Sequence, residues 1–201
     1  MSFDLLIKNG LVILDNGTRE TEVGINDGKI VAIGDNLGDA KEIIDAKGLV
    51  VSPGMVDAHV HITDPGGGFR DFWEGYETGT KACAKGGVTS FMEMPLNQVP
   101  ATVNKESLDI KFAAGEGKLM SDVGSFGGLV PYNLDGGIQE LNDGGAAAYK
   151  AFMSTCGDRT IDGDFMNVDD YSLYEGMKKI AKTGCHVYFI YQIYRKYFLH
   201  T

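Results

Sequence analysis

From residue 53 onward the chain adopts a rhythm that limits its fold more than any other feature of the sequence. Apolar runs of strand length alternate with segments of helical spacing at intervals of roughly 30 residues, the mark of βα units on a parallel sheet. The runs are GMVDAHVHI, VTSFMEMP, DVGSFGGLV, AAAYKAF and HVYFIYQI. Between them lie WEGYETGTKACAKGG, which stops at glycine, then NKESLDIKFAAGEGK, LDGGIQELNDGG and VDDYSLYEGMKKIAKTG. Asn104 is the predicted N-cap of the second helix. The fourth places acidic residues first and lysines last, as the helix dipole favours. About four and a half βα units fit this pattern, against the eight of a closed (β/α)₈ barrel. Residues 1–52 follow another pattern. FDLLIKNGLVIL, TEVGINDGKIVAIG and KEIIDAKGLVVS read as short strands punctuated by Asn-Gly, Asp-Gly and Lys-Gly turns, a small β unit.

Charge and composition exclude several classes of function. The formal net charge of −10 argues against nucleic acid or an anionic membrane as the main partner. No apolar run reaches the roughly 18 residues that span a bilayer. The first ten residues lack the basic start and apolar core of a secretory signal, so a cytoplasmic location is expected. The three cysteines, Cys83, Cys156 and Cys185, are far apart and form no CxxC pair, which points to reduced thiols rather than disulfides or a structural zinc site. The glycine-rich DPGGGFRDF lacks the lysine and the strand–loop–helix setting of a phosphate-binding loop.

Half of the four histidines stand two residues apart, in VDAHVHITDP. With a period of two, His59 and His61 share one face of a strand, near the C-terminal end where parallel α/β folds collect their active-site groups. Two neutral imidazoles so placed can share one metal ion. Asp57 shares that face and is placed to orient a ligand or to meet the metal. The plain alternative is a pair of partly exposed strand histidines. Lys150 is the second anomaly, a lysine inside the apolar strand AAAYKAF. A buried ammonium costs several kcal/mol unless neutralised or paired. Either its head reaches solvent at the strand end, or it is a neutral amine able to capture carbon dioxide as an anionic, metal-bridging carbamate. Asn97, just past a strand, is a candidate substrate contact or a turn cap. Asp158 and Arg159 read as loop-shaping residues.

DAHVH, WEGYETGTKACAKGGVTSFMEMPLNQVPATV and YKAFMSTCGDR resemble the cyclic amidohydrolases, and within them the allantoinases. The resemblance extends from residue 1 to about residue 187. It implies a metal-dependent (β/α)₈ barrel preceded by part of a small β-sandwich. On that basis residues 1–52 are the N-terminal part of the sandwich and 53–187 the first half of the barrel. Residues 188–201 form a tail with no counterpart in the family. The implied site holds two divalent metals, zinc above all, bound by His59 and His61 and bridged by N6-carboxylated Lys150. The implied reaction opens the hydantoin ring of allantoin to allantoate in purine breakdown. Thr63 stands where dihydroorotases carry arginine, and Thr155 where dihydropyrimidinases carry tyrosine, so both favour allantoin. The complete protein is expected to be a homo-oligomer.

The same resemblance calls for two more histidines and an aspartate beyond residue 187. The first would fall at Ile190. His186 comes four residues too early, and His200 has no matching context. The tail YFIYQIYRKYFLHT, rich in Tyr, Phe and Ile, is the expected product of a frameshift, a retained intron or a misjoined gene, with a true short isoform as the alternative. The expectation is an inactive, aggregation-prone fragment with open sheet edges. A dihydropyrimidinase or dihydroorotase relative, and a non-catalytic interaction protein on the same scaffold, are the competing readings.

Overall fold

The computed structural model describes residues 2–62 and 73–190; Thr63, His200 and the segment from 191 onward lie outside the described residues. Two compact units divide at Gly54. In the first, β1 (Phe3–Leu14), β2 (Gly17–Asn26), β3 (Lys29–Gly34) and β4 (Ala40–Asp45) form a sheet in the order β3-β2-β1-β4, with β5 (Val50–Val51) also paired to β1. β1, β2 and β3 are joined antiparallel, whereas β4 and β5 run parallel to β1. The turn between β2 and β3 is Asp27-Gly28, with φ of 50° and 70°. Two successive positive values are what a tight two-residue hairpin demands, and the Asp-Gly pair supplies them at low cost. Phe3, Leu6, Val12, Val23 and Ala46 are its buried core.

The second unit is the alternation read from the sequence. Its strands are β6 (Met55–Val60), β7 (Val88–Glu93), β8 (Asp122–Gly128), β9 (Ala148–Phe152) and β10 (Val187–Ile190). They are joined through α1 (Gly75–Lys85), α2 (Lys105–Gly115), α3 (Gly137–Asp143) and α4 (Asp170–Ile180). The sheet runs β6-β7-β8-β9-β10 in chain order with every pair parallel, which is the first half of a (β/α)₈ barrel. β10 extends through Ile190 and pairs with β9 up to Phe152. Helices α2, α3 and α4 cover the sheet through Leu108, Leu129, Leu141, Tyr149 and Ile180. The buried Tyr149 hydroxyl finds its partner in the Ile138 carbonyl, to which it donates at 2.6 Å. Among the described residues no helix is long and apolar enough to cross a membrane.

Local signals set the helix starts. The Asn104 side chain accepts the Ser107 N–H at 2.8 Å, and the Ser107 hydroxyl accepts the Asn104 N–H at 3.1 Å, a reciprocal cap that opens α2. Asp169 opens α4 by accepting the Ser172 N–H at 2.7 Å, and this bond holds its carboxyl below the usual aspartate range. A depressed folded-state pKa stabilises the fold above the unfolded value near 4, and that contribution is lost as pH falls through the folded value. Asp169→Asn keeps the acceptor oxygen but removes the titration. Its urea midpoint should lie below wild type at pH 6 and converge with it near pH 2.5. Two parallel stability–pH curves would contradict this account.

Candidate metal and substrate site

The two histidines owe their position to where a strand ends. His59 is the penultimate residue of β6, and His61 lies just beyond it. Lys150 is the middle residue of β9, 2% exposed, and β7 and β8 separate the two strands in the sheet. Barrel curvature carries the lysine across that gap. Its Nζ stands 3.0 Å from His59 Nε2, although the two residues are 91 apart in sequence. His59 Nε2 and His61 Nε2 face each other at 3.3 Å, with the ring centroids 5.2 Å apart. Three side-chain nitrogens thus converge on one spot at the carboxyl end of the sheet.

The protonation of this cluster suits a cation. His61 Nδ1 lies 2.9 Å from the Leu96 carbonyl oxygen, which only accepts, so Nδ1 carries the proton and Nε2 presents its lone pair. Burial pushes His59 below the ordinary imidazole range, helped by the Lys150 charge and opposed by Asp57. Burial also lowers His61, against the Leu96 hydrogen bond and with a contribution from Lys150. Both shifts favour the neutral imidazole, the form that binds metal. Burial lowers Lys150 to about 8, so about a tenth of its amine is unprotonated at pH 7, far more than for an ordinary lysine. The His61 Nε2 lone pair faces His59 Nε2 at 3.3 Å, and two imidazole nitrogens turned toward each other with a lysine amine beside them are a donor set that a divalent ion could bind. Among the described residues there is no cluster of three or more His, Cys, Asp or Glu side chains that would hold a metal. The third partner of the histidine pair is the lysine.

The other sequence candidates lie around this cluster. Asp57 Oδ1 accepts the backbone N–H of His59 at 3.0 Å, so the carboxylate braces the strand that carries the ligand. Asn97 is half-buried one residue beyond Leu96, on the segment that fixes His61. Thr155 is exposed in the loop after β9, five residues past Lys150. Thr63 falls outside the described residues. His186 precedes β10, where its backbone carbonyl accepts from Tyr149, at the amino end of the sheet.

Sequence reading passed over a buried charged group beside this cluster. Glu93 ends β7 at 0% exposure; its Oε2 takes the Tyr76 hydroxyl at 2.7 Å and pairs with Lys111 Nζ at 3.0 Å. Periodicity offered a signal. Glu93 is two residues after the buried Phe91 on the same face of β7, and Lys111 occupies the helical stripe of Ser107, Leu108 and Gly115.

A half-barrel of parallel strands with a histidine pair and a buried lysine at its carboxyl end defines a class, and sequence comparison identifies it. Residues 48–183 match the dihydro-orotase-like family, and the chain belongs to that family of cyclic amidohydrolases. It is 73% identical over 184 residues to an allantoinase of Bacillus licheniformis, 71% to one of Enterococcus faecalis and 56% to one of Escherichia coli. Each match covers 92% of this chain and 40% of the relative, so the chain spans well under half the length of these proteins. Among solved structures, L-hydantoinase (dihydropyrimidinase) from Arthrobacter aurescens superposes with a TM-score of 0.81 at 31% identity, over 93% of this chain and 40% of that one. An N-acyl-D-glutamate deacylase from Bordetella bronchiseptica, solved with zinc and a phosphonate inhibitor, shares the fold at a TM-score of 0.65 and 16% identity.

Proposed function

We propose that this chain carries the N-terminal part of a metal-dependent allantoinase site, in which His59, His61 and Lys150 hold divalent ions, zinc first among them. The convergence of their three nitrogens carries this reading. The allantoinases at 56–73% identity favour allantoin within the family. Bound divalent ions would polarise the ring carbonyl and make a water more acidic. The protein's own groups do the rest. His61 holds its Nε2 lone pair toward the site because Leu96 fixes its Nδ1 proton. Lys150, as the neutral amine, adds carbon dioxide: an N–C bond forms, one Nζ proton leaves to solvent, and an anionic carbamate remains. Asp57 braces the His59 backbone, and Asn97 and Thr155 are the proposed contacts to the hydantoin ring. Hydrolysis adds a water oxygen to the ring carbonyl carbon, breaks its C–N bond, and returns a proton to the departing nitrogen. The reading includes a cytoplasmic, homo-oligomeric complete enzyme acting in purine breakdown.

A hydantoinase or dihydropyrimidinase activity is the second reading, favoured by the superposition on L-hydantoinase. The two separate in one assay. Residues 1–186 are joined to the remaining portion of the Bacillus licheniformis relative, and kcat/KM is measured on allantoin, dihydrouracil and dihydroorotate. Allantoin should be preferred by at least about tenfold, the discrimination that a single pocket contact supplies. Preference for either pyrimidine would replace this reading with its rival.

A further inference from the structure

We propose that Lys111, with Glu93 and Tyr76, is a positioning group for the histidine pair: it holds the Met94–Leu96 segment whose last carbonyl fixes His61. The proposal extends the metal-site reading above and rests on it for the consequence to metal binding.

Lysine at the centre of a helix that packs on a sheet is an unusual choice. Lys111 is 5% exposed, and its stem lies in the buried stripe of α2. Burial draws its ammonium below the ordinary lysine range, while Glu93 opposes that shift. A buried ion pair is seldom better for stability than well-packed apolar side chains of the same size. What the pair adds is direction. Lys111 Nζ lies 3.0 Å from Glu93 Oε2 and donates to the Met94 carbonyl at 2.6 Å. Tyr76, from α1, donates its hydroxyl to the same Glu93 oxygen at 2.7 Å, so two helices grip the end of β7 through one carboxylate.

The segment so gripped has every carbonyl engaged. The Met94 N–H donates to Val60 at 2.9 Å, tying the end of β7 to the residue before His61. The Met94 carbonyl takes Lys111, and the Pro95 carbonyl takes the Thr102 N–H at 2.9 Å. The Leu96 carbonyl takes His61 Nδ1 at 2.9 Å. Three successive carbonyls thus form a short rail from the buried ion pair to the imidazole. Turning the first of them displaces the third, and the third decides which nitrogen of His61 carries the proton. Partners that orient a metal-binding histidine in this way typically contribute about 10- to 100-fold in metal affinity.

The test uses the 201-residue chain and the variants Lys111→Met, Glu93→Gln, Tyr76→Phe and the pair Glu93→Gln/Lys111→Met. The first readout needs no metal. Long-range proton–nitrogen NMR of the imidazoles should find His61 of the wild type protonated at Nδ1. In Lys111→Met a clear share should move to the Nε2–H form, and Tyr76→Phe should show a smaller shift in the same direction. The second readout is cobalt(II) affinity by competition with a coloured chelator. It should weaken about tenfold or more in Lys111→Met, and by less in the pair variant, which does not leave the Glu93 carboxylate buried without Lys111. A network that merely holds α2 on the sheet would lower the melting temperature and leave the His61 proton where it is. An unchanged tautomer in folded Lys111→Met and Tyr76→Phe overturns the proposal. If Lys111→Met does not fold, Tyr76→Phe and the pair variant decide it by the same readout. If the wild type binds no cobalt even when residues 1–186 are joined to the remaining portion of the Bacillus licheniformis relative, the metal-site reading falls, while the His61 tautomer still decides the network's role.

Discussion

Lys150→Ala, introduced into residues 1–186 joined to the rest of the Bacillus licheniformis relative, should lower kcat/KM on allantoin by about 10³-fold or more. The wild-type fusion should retain about two zinc ions per chain, gain activity when prepared with bicarbonate, and lose both metal and activity when Lys150 is removed. The size of the effect follows from the number of roles placed on one atom. Nζ stands beside His59 at 3.0 Å, its amine is lowered to about 8, and its carbamate would supply the negative charge that two cations require. Groups that generate and aim a nucleophile commonly contribute about 10²–10⁴-fold each. Short carboxylic acids should restore part of the loss by occupying the place of the carbamate. A Lys150→Ala enzyme with full zinc content and near-normal turnover would remove Lys150 from the site altogether.

Gly157→Ala should destabilise the barrel unit by about 3 kcal/mol, although it adds one methyl group and lies two residues from the exposed Thr155. Two independent penalties combine there. Gly157 has φ of +83°, a conformation that costs any residue with a Cβ. A Cβ built on it runs into the Phe165 carbonyl oxygen and comes within 2.6 Å of the Met166 sulfur. Main-chain oxygen cannot swing aside as a side-chain tip can, and Phe165 is 1% exposed in the core beneath the loop. Urea unfolding should show a lower midpoint with an unchanged slope, the signature of lost stability without a change in surface exposed. A loss under about 0.5 kcal/mol would mean that the loop relaxes freely and that the 157–165 contact does not constrain it.

Much of the fold was legible along the chain. The alternation of apolar runs and helical stripes marked all five strands and four helices of the barrel unit, because each must bury one face and the period of that face differs. Asn104 was legible as a cap because a cap is a local bond, made within one turn. The His59–His61 pair was legible for the same reason, since neighbours at i and i+2 share a strand face in any sheet. The Glu93–Lys111 pair was passed over because each residue, taken singly, is an ordinary surface type. Only its place in a buried stripe marks it, and only the partner on another element explains how it is tolerated.

The elements and the histidine pair follow from neighbours within a few residues, and the parallel sheet from the order in which strands and helices alternate. Tertiary structure alone decided that Lys150, three strands and 91 residues away, reaches His59. The reason is the coiling of a parallel sheet, which turns strand ends inward onto a common axis and brings together side chains that no local period relates. It likewise decided that Leu96, rather than Asp57, fixes His61, and that Asp57 turns to its own strand's backbone. Those outcomes depend on where the chain passes after β7, and that path is set by the packing of α1 and α2 on the sheet, not by the residues around either histidine.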